Sequence, residues 1–284
     1  MSIVVTGATG HLGRHVVEQL LEKVPAEEIT AVVRTPEKAA DLAERGVRIA
    51  VADYNDPATF DGLFATGDKV LLISGNEFDK GRAGQHKVVL DAARTAGVAL
   101  FAYTSAPGSL TAALADDHRT TEEAILASGV PYVLLRNGWY HENYTEHLAP
   151  VLEHGAVVQA AGEGRVASAS RADYAAAAVA VLTGEGHEDK TYELSGDTAW
   201  GFAEYTAELS EQSGKEIAYN SVSVEALKGI LTGAGLPEPL AAILAGVDAS
   251  IEKGELAVTT GDLSRLTGRP TTPISESITA ALKA

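Results

Sequence analysis

The sequence predicts an α/β protein built on a doubly wound parallel sheet, with a smaller, mostly helical C-terminal lobe. Short apolar runs alternate with helical segments through the first half of the chain, and a glycine-rich turn follows the first run. Near-continuous apolar strands of this kind are typical of a parallel sheet that is covered on both faces. Their alternation with helices implies right-handed crossover connections, which place the helices on those faces.

The predicted elements follow one another with short turns between them. The strands are expected at residues 2–6, 29–34, 47–52, 69–74, 98–104 and 131–136, and a further strand at 191–195 returns to the sheet. Helix start signals stand at Thr35-Pro36, Asp56-Pro57 and Asp116 or Asp117, and glycines close helices at residues 46, 97 and 129. After about residue 137 the alternation stops, a helix is expected at 171–183, and the last part is mostly helical.

The glycine-rich turn Thr6-Gly7-Ala8-Thr9-Gly10-His11-Leu12-Gly13 is the most informative motif. Its three glycines, Gly7, Gly10 and Gly13, lie between the first strand and the first helix, where glycine lets the backbone approach a pyrophosphate at a helix N-terminus. A plain structural turn is the alternative, but the position at the start of a βαβ series favours a Rossmann-type dinucleotide site. We therefore expect a dinucleotide-binding domain over 1–136 with a return at about 156–196, and a substrate-side lobe formed by 137–155 and 197–284.

Polar residues at the ends of later strands predict the cofactor. Arg34 ends the second strand, where arginine accommodates the 2′-phosphate of NADP(H) and an acidic residue would bind the ribose of NAD. The alternative is a solvated arginine that opens the next helix. Asp53 contacts the adenine or caps a loop. Ser74 faces the nicotinamide or belongs to the ordinary turn Ser74-Gly75-Asn76.

Composition excludes several classes of function. The 284 residues include no cysteine, which removes thiol catalysis, disulfides and thiolate metal sites and fits a reducing compartment. The net charge of −17, from 22 basic and 39 acidic residues, argues against nucleic-acid binding. No apolar run reaches the ~20 residues of a membrane helix, and no basic leader precedes the first strand. We expect a soluble, cytoplasmic protein without a metal, and a homodimer is possible.

Five features of the chain occur together: the TGATGxLG opening, Arg34, the segment RNGWYHENY, residues 167–178 and the closing GRPTT. In these features it resembles the NmrA-like, atypical short-chain dehydrogenase family, and within it the bacterial type-2 NAD(P)H:quinone oxidoreductases. The resemblance implies hydride transfer from NADPH to small quinones without a flavin. It also implies NADP(H) contacts from Gly7, Ala8, Thr9, Gly10, His11 and Leu12, from Arg34, from Ser74, Gly75 and Asn76, from Asn137, Gly138, Trp139, Tyr140 and Asn143, and from Arg171.

One departure from the short-chain dehydrogenase pattern concerns catalysis. None of the nine tyrosines is followed by lysine four residues later, although that pair is typical of those enzymes. His118 lies in the stretch where the pair is expected and could donate a proton, but it is more often a surface residue of a helix. Tyr140 is the other weak candidate, so the catalytic residues are not assigned.

Three functions remain open on the sequence alone. The close resemblance favours an NADPH-dependent quinone reductase, whereas the missing Tyr/Lys pair favours a non-catalytic NADP(H) redox sensor that acts through a protein partner. An epimerase of nucleotide sugars ranks last, because that chemistry normally relies on the absent pair.

Overall fold

A computed structural model describes residues 2–77, 81–108, 110–111 and 114–283. Its strands are β1 (Ile3–Thr6), β2 (Ile29–Val33), β3 (Arg48–Val51), β4 (Lys69–Leu72), β5 (Leu100–Ser105), β6 (Tyr132–Asn137), β7 (Ala156–Gln159), β8 (Arg165–Val166), β9 (Lys190–Leu194), β10 (Trp200–Gly201) and β11 (Ala218–Ser221). Its helices are α1 (His11–Leu20), α2 (Ala40–Glu44), α3 (Arg82–Ala96), α4 (Leu114–Ser128), α5 (Glu142–Thr145), α6 (Leu148–His154), α7 (Arg171–Thr183), α8 (Phe202–Ser213), α9 (Val224–Gly233), α10 (Glu238–Glu252), α11 (Asp262–Thr267) and α12 (Ile274–Lys283).

Seven strands form one sheet in the order β3-β2-β1-β4-β5-β6-β9. The pairs from β3 to β6 are parallel. The amide of Asp189 donates to the carbonyl of Tyr132, and that of Gly138 donates to the carbonyl of Leu194, so β9 runs in the same direction as β6. The predicted doubly wound parallel sheet is confirmed, with all seven strands within two residues of their expected positions.

Two expected helices are shorter than the sequence indicates. The segment after Thr35 begins with a 3-10 turn at Pro36–Ala39 before α2, and Pro57–Phe60 is a 3-10 turn only. Asp56 does cap this second turn, because its side chain accepts from the amide of Ala58. The helix does not continue, since Asp61 is extended and Gly62 has a φ of +70°. The prediction of a helix opened by Asp56-Pro57 is therefore wrong in extent.

By its internal contacts the chain divides into two units. Unit 1 comprises Met1–Ala106, Asp117–Asn137 and Arg171–Tyr192, and unit 2 comprises Pro107–Asp116, Gly138–Ser170 and Glu193–Ala284. The return to unit 1 starts at Arg171 and not at about residue 156, because β7 and β8 pair with β11 and β10 inside unit 2. The segment 107–116 also belongs to unit 2, although the sequence places it in the first domain.

The core of unit 1 lies between the central strands and the helices that cover them. Val4, Leu72 and Phe101 of the sheet pack with Ala93 of α3 and Ile125 of α4, and each is at most 1% exposed. Burying a side chain of the size of phenylalanine or leucine contributes about 1.5–3 kcal/mol. This packing fixes the strands whose carboxyl ends carry the predicted polar residues.

Unit 2 has an aromatic core of its own. The ring of Tyr144 packs edge-on against Trp200 and Phe202, and Tyr205 stacks on Trp200. The indole N–H of Trp200 donates to the hydroxyl of Ser168 at 2.9 Å, so its polar atom is satisfied inside this core.

Candidate functional site

A cavity opens in unit 1 where the strand order of the sheet reverses. β1 has β2 on one side and β4 on the other, so the chain segments that follow β1 and β4 diverge and leave a crevice. The cavity has a volume of about 390 Å³. The predicted cofactor residues that line it are Gly7, Thr9, Gly10, His11, Leu12, Gly13, Arg34, Asp53, Ser74, Gly75 and Asn76.

The turn after β1 requires glycine at two positions for different reasons. Gly7 has a φ of +62°, a conformation that other residues adopt only with strain. At Gly13, a Cβ atom would lie 2.2 Å from the carbonyl oxygen of Gly7, so a side chain there would push α1 away from the turn. Gly10 is the N-cap of α1, which has no side-chain cap and no acidic residue in its first turn. This helix end is therefore suited to an anionic group.

The carboxyl ends of β1 and β4 are tied together by a tyrosine that the sequence does not single out. The Tyr54 hydroxyl donates to the carbonyl of Ile73 at 2.9 Å and bonds to the Thr6 hydroxyl at 2.5 Å. The amide of Ile73 in turn donates to Thr6 Oγ1 at 3.2 Å. Burial raises the pKa of Tyr54, so its hydroxyl stays neutral. The hydroxyl holds the two strand ends beside the cavity through these hydrogen bonds.

The turn after β4 is held by two side chains from other elements. The amide of Ser74 donates to Thr104 Oγ1 at 2.9 Å, and the amide of Gly75 donates to His86 Nε2 at 3.0 Å. Burial, with the nearby charge of Arg82, lowers the pKa of His86 to about 3. The ring is therefore neutral at physiological pH, and its Nε2 remains an acceptor that fixes this turn.

Arg34 has a carboxylate partner inside the cavity. Its Nη1 lies 3.1 Å from Glu77 Oε1, and 61% of the Arg34 side chain is exposed. Lys38 also lines the cavity and follows Arg34 by four residues, so two cations flank the same space. The cavity is lined as well by residues that the sequence alone does not single out, namely Lys38, Tyr54, Asn55, Glu77 and Gln85. Of these, only Lys38 could have been inferred from the sequence, because it follows Arg34 by four residues in RTPEK.

The remaining predicted cofactor residues lie outside the lining of this cavity. Ala8 is fully buried beneath the turn, Asn137 is buried at the end of β6, and Arg171 is the first residue of α7. The segment from Gly138 to Asn143 belongs to unit 2, where the amide of Ala169 donates to the carbonyl of Trp139. Tyr140 forms an isolated bridge with Ala169, and Asn143 is exposed in α5. Their contacts with a cofactor stay predictions.

His118 is a buried residue of α4 and not a surface residue. Its Nε2 lies 2.6 Å from Arg82 Nη2, and because arginine can only donate, Nε2 accepts and the ring proton sits on Nδ1. Nδ1 lies 2.8 Å from the Tyr103 hydroxyl. Burial, followed by the charges of Arg82 and His86, lowers the pKa of His118 well below its ordinary value. The ring is neutral and does not line the cavity, which favours a structural role over proton donation.

Unit 2 contains a second cavity, of about 260 Å³. Its lining is largely apolar, with Leu194, Leu256 and Val258, and it includes the carboxylates Glu193 and Glu255. Glu193 accepts from the amide of Gly108 at 3.1 Å, and Glu255 accepts from the amide of Thr111 at 2.9 Å. Pro107 and Gly138, which also line it, follow the carboxyl ends of β5 and β6 within two residues along the chain.

Neither a metal cluster nor a membrane span is found in the described part of the chain. His11 and His15 stand four residues apart on α1, a spacing that some metal sites use, but among the described residues no group of three or more potential metal ligands occurs. The absence of a metal stays a prediction. No helix within the described ranges is long and apolar enough to cross a bilayer.

The residues present fit a dinucleotide with a 2′-phosphate. The three glycines of the turn bring backbone without a Cβ to the cavity wall, and the N-terminal end of α1 has no side-chain cap. Arg34 and Lys38 supply two cations. Fold and cavity together define a dinucleotide-binding α/β protein of the Rossmann type. The chain belongs to the NAD(P)H-binding family, whose model matches residues 7–185.

Curated and solved relatives confirm the predicted family. The chain is 47% identical to quinone oxidoreductase 2 of Escherichia coli over 97% of each protein. The crystal structure of the E. coli NADPH-dependent quinone oxidoreductase in complex with NADPH matches with a TM-score of 0.95 over 99% of both chains, at 46% identity. The Citrobacter triphenylmethane reductase complexed with NADP(H) matches with a TM-score of 0.93, 44% identity and coverage of 99% and 100%. An NmrA-like oxidoreductase of Aspergillus flavus is 28% identical over 78% of this chain and 75% of its own.

Proposed function

We propose that this protein is an NADPH-dependent reductase that passes a hydride directly to small quinones, without a flavin. The observation that carries the proposal is the 47% identity with quinone oxidoreductase 2 over nearly the whole of both chains, joined to a cavity that has the charge and shape for NADP(H). The glycine turn and the N-terminal end of α1 hold the pyrophosphate, and Arg34 with Lys38 holds the 2′-phosphate. Bound NADPH supplies the hydride.

The main contribution of the protein to the reaction is to orient the cofactor and the acceptor, and not to donate a proton to the reduced acceptor. The chain has no Tyr/Lys pair, and the buried histidines His86 and His118 are neutral and engaged in hydrogen bonds. An ordinary ketone reduced by a hydride becomes a strongly basic alkoxide, which needs a proton donor as it forms. A quinone becomes a hydroquinone anion of phenol-like basicity, comparable to tyrosine at pKa about 10, so a proton from water completes the reaction.

The mostly apolar cavity of unit 2 is our candidate for the site of the aromatic acceptor. A planar ring suits a lining of leucine and valine side chains, and the two carboxylates on its wall disfavour acceptors that carry negative charge. We expect Val258→Asp to raise the KM for quinones while leaving the Kd for NADPH unchanged, because Val258 is exposed on the wall of this cavity and does not line that of unit 1. Unchanged quinone KM in this variant would remove the cavity from the acceptor site.

Reduction of cationic triarylmethane dyes is a second candidate activity. The Citrobacter relative, at 44% identity, is a triphenylmethane reductase. Hydride addition to the central carbocation of such a dye gives a neutral product and requires no proton donor, which matches the residues found here. The carboxylates Glu193 and Glu255 also suit a delocalised cation.

A substrate panel tests both activities against one another. Purified protein with NADPH is supplied separately with small quinones, a cationic triarylmethane dye, simple ketones and aldehydes. We expect turnover of quinones, with or without the dye, and none of the ketones or aldehydes. Efficient ketone reduction would show that a proton donor exists and would overturn the mechanism. Tight NADPH binding without turnover of any acceptor would indicate the redox-sensor function instead.

We also propose that the protein acts in the cytoplasm and does not bind DNA directly. Zero cysteines fit a reducing compartment, and the net charge of −17 opposes phosphate binding along a duplex. A salt-sensitive gel shift of generic duplex DNA at submicromolar protein would contradict this. Light scattering measures the molar mass in solution and so tests whether the protein is a homodimer.

A further inference from the structure

An acidic side chain stands inside the cavity that is proposed to receive a polyanionic cofactor. Glu77 lies three residues after Ser74 in the turn that follows β4, and 24% of its side chain is exposed. Its Oε1 accepts from Arg34 Nη1 at 3.1 Å. Arg34 and Glu77 both line the cavity. The guanidinium proposed to hold the 2′-phosphate is therefore already paired with a carboxylate of the same chain.

Two amides hold this carboxylate in place. Glu77 Oε2 accepts from Asn55 Nδ2 at 3.2 Å and from Gln85 Nε2 at 3.1 Å. Gln85 Nε2 also donates to Asn55 Oδ1 at 2.9 Å, so the two amides support one another. Gln85 is only 6% exposed. Glu77 is thus fixed by residues from three separate segments, and its pairing with Arg34 is part of the local architecture.

Carboxylate and phosphate compete for the same donors of a guanidinium group. Both present a pair of oxygens that arginine binds through its N–H fork. A 2′-phosphate, which carries about −1.5 to −2 charges, outcompetes a carboxylate of −1 but must first displace it. A ligand without that phosphate leaves the Arg34–Glu77 pair intact. The pair therefore disfavours only ligands that carry a 2′-phosphate.

We propose that Glu77 is a specificity-determining residue, which competes with the 2′-phosphate for Arg34 and so narrows the preference for NADP(H) over NAD(H). This inference rests on the proposed role of Arg34 in holding that phosphate. Partly exposed ion pairs are weak, and removing one competitor together with its like-charge repulsion should tighten binding of a 2′-phosphorylated ligand by about three- to tenfold.

The test uses Glu77→Gln and two simple ligands that do not require hydride transfer. The glutamine keeps an oxygen that can accept from Asn55 and Gln85 but removes the charge that pairs with Arg34. Calorimetry measures the Kd of adenosine 2′,5′-bisphosphate and of 5′-AMP. We expect the bisphosphate to bind about three- to tenfold more tightly to E77Q, with the Kd of 5′-AMP changed less than twofold. Glu77→Ala should act in the same direction.

Controls separate competition from general charge effects. Glu37→Gln removes an exposed negative charge that follows Arg34 by three residues and does not line the cavity, and it should change neither Kd more than twofold. In an Arg34→Ala background, where only the like-charge repulsion of Glu77 remains, Glu77→Gln should change the Kd of the bisphosphate less than twofold. The proposal is overturned if E77Q weakens bisphosphate binding, if it shifts both ligands equally, or if its effect persists without Arg34. If R34A alone leaves bisphosphate binding unchanged, the proposed 2′-phosphate site itself fails.

Discussion

Replacing Arg34 with alanine removes one of the two cations that, among the described residues, line the unit 1 cavity. A charge-assisted pair between guanidinium and phosphate is worth roughly 1.5–3 kcal/mol. Two features of the structure reduce the net loss: 61% of the Arg34 side chain is exposed, and binding exchanges the Glu77 carboxylate for the phosphate. Lys38 also remains. We therefore expect the Kd for NADPH to rise by about one to two decades, and closer to one than to two. The Kd for NADH should stay nearly unchanged.

The assay is a titration of each cofactor followed by nicotinamide fluorescence at fixed ionic strength. Arg45→Ala is the matched control, because Arg45 is an exposed arginine paired with Glu18 and does not line the cavity. It should leave both Kd values unchanged. Equal losses for NADPH and NADH in R34A would refute the reasoning, since they would assign Arg34 to the shared part of the two cofactors or to stability.

Three further predictions rest on particular contacts. Gly13→Ala places a Cβ 2.2 Å from the Gly7 carbonyl oxygen, so we expect a loss of about 1–3 kcal/mol in thermal denaturation and weaker binding of both cofactors; unchanged stability and binding would refute the packing argument. His118→Ala and Tyr140→Phe should each lower quinone kcat/KM by less than the ~10²-fold expected on losing a general acid, and near-complete loss in either variant would identify a proton donor. Burial raises the pKa of Asp248 from 3.8 to about 6, against a hydrogen bond from the Ala160 amide, so the folded state holds a proton that the unfolded state releases. The free energy of unfolding should then fall by about 2 kcal/mol between pH 4 and 6 through this group, and Asp248→Asn should remove that decline in denaturant titrations; an identical pH profile in the variant would show that the carboxyl is not perturbed.

The sheet and the cofactor turn are predictable because their signals are local. Short apolar runs that end in glycine mark the strands, and Gly7 and Gly13 are required by backbone conformation and packing within the same turn. The end of the helix after Asp56 is less predictable. A good N-cap and Pro57 start a helix, but its length is decided by the extended chain at Asp61 that leads towards β4.

The buried polar network around His118 escapes sequence reasoning for a physical reason. The buried face of α4 runs from Ala115 to Ile125, but the residues buried between them are polar: His118, Thr121 and Glu122. They interrupt the apolar stripe that would otherwise mark this face in the sequence. Their partners come from distant segments: Arg82 bonds to His118, and Arg136 pairs with Glu122 at 2.6 Å. A helix whose buried side is satisfied by other elements resembles a surface helix until those elements are placed.

The contacts of Glu77 cannot be predicted from the sequence for the same reason. It stands in a polar turn without periodicity, and only the folded chain brings Arg34, Asn55 and Gln85 to its carboxylate. The extent of unit 2 is likewise set by tertiary contacts, since the pairing of β7 with β11 joins segments that are distant along the chain.

Quinone-dependent oxidation of NADPH by the purified protein tests the central claim most directly. Under anaerobic conditions, the absorbance of reduced nicotinamide and the formation of hydroquinone are followed together, with NADH in parallel. We expect one hydroquinone for each NADPH consumed, without added flavin, and a kcat/KM at least about tenfold higher with NADPH than with NADH. Tight binding of NADPH with no hydroquinone formed from any quinone would contradict the claim.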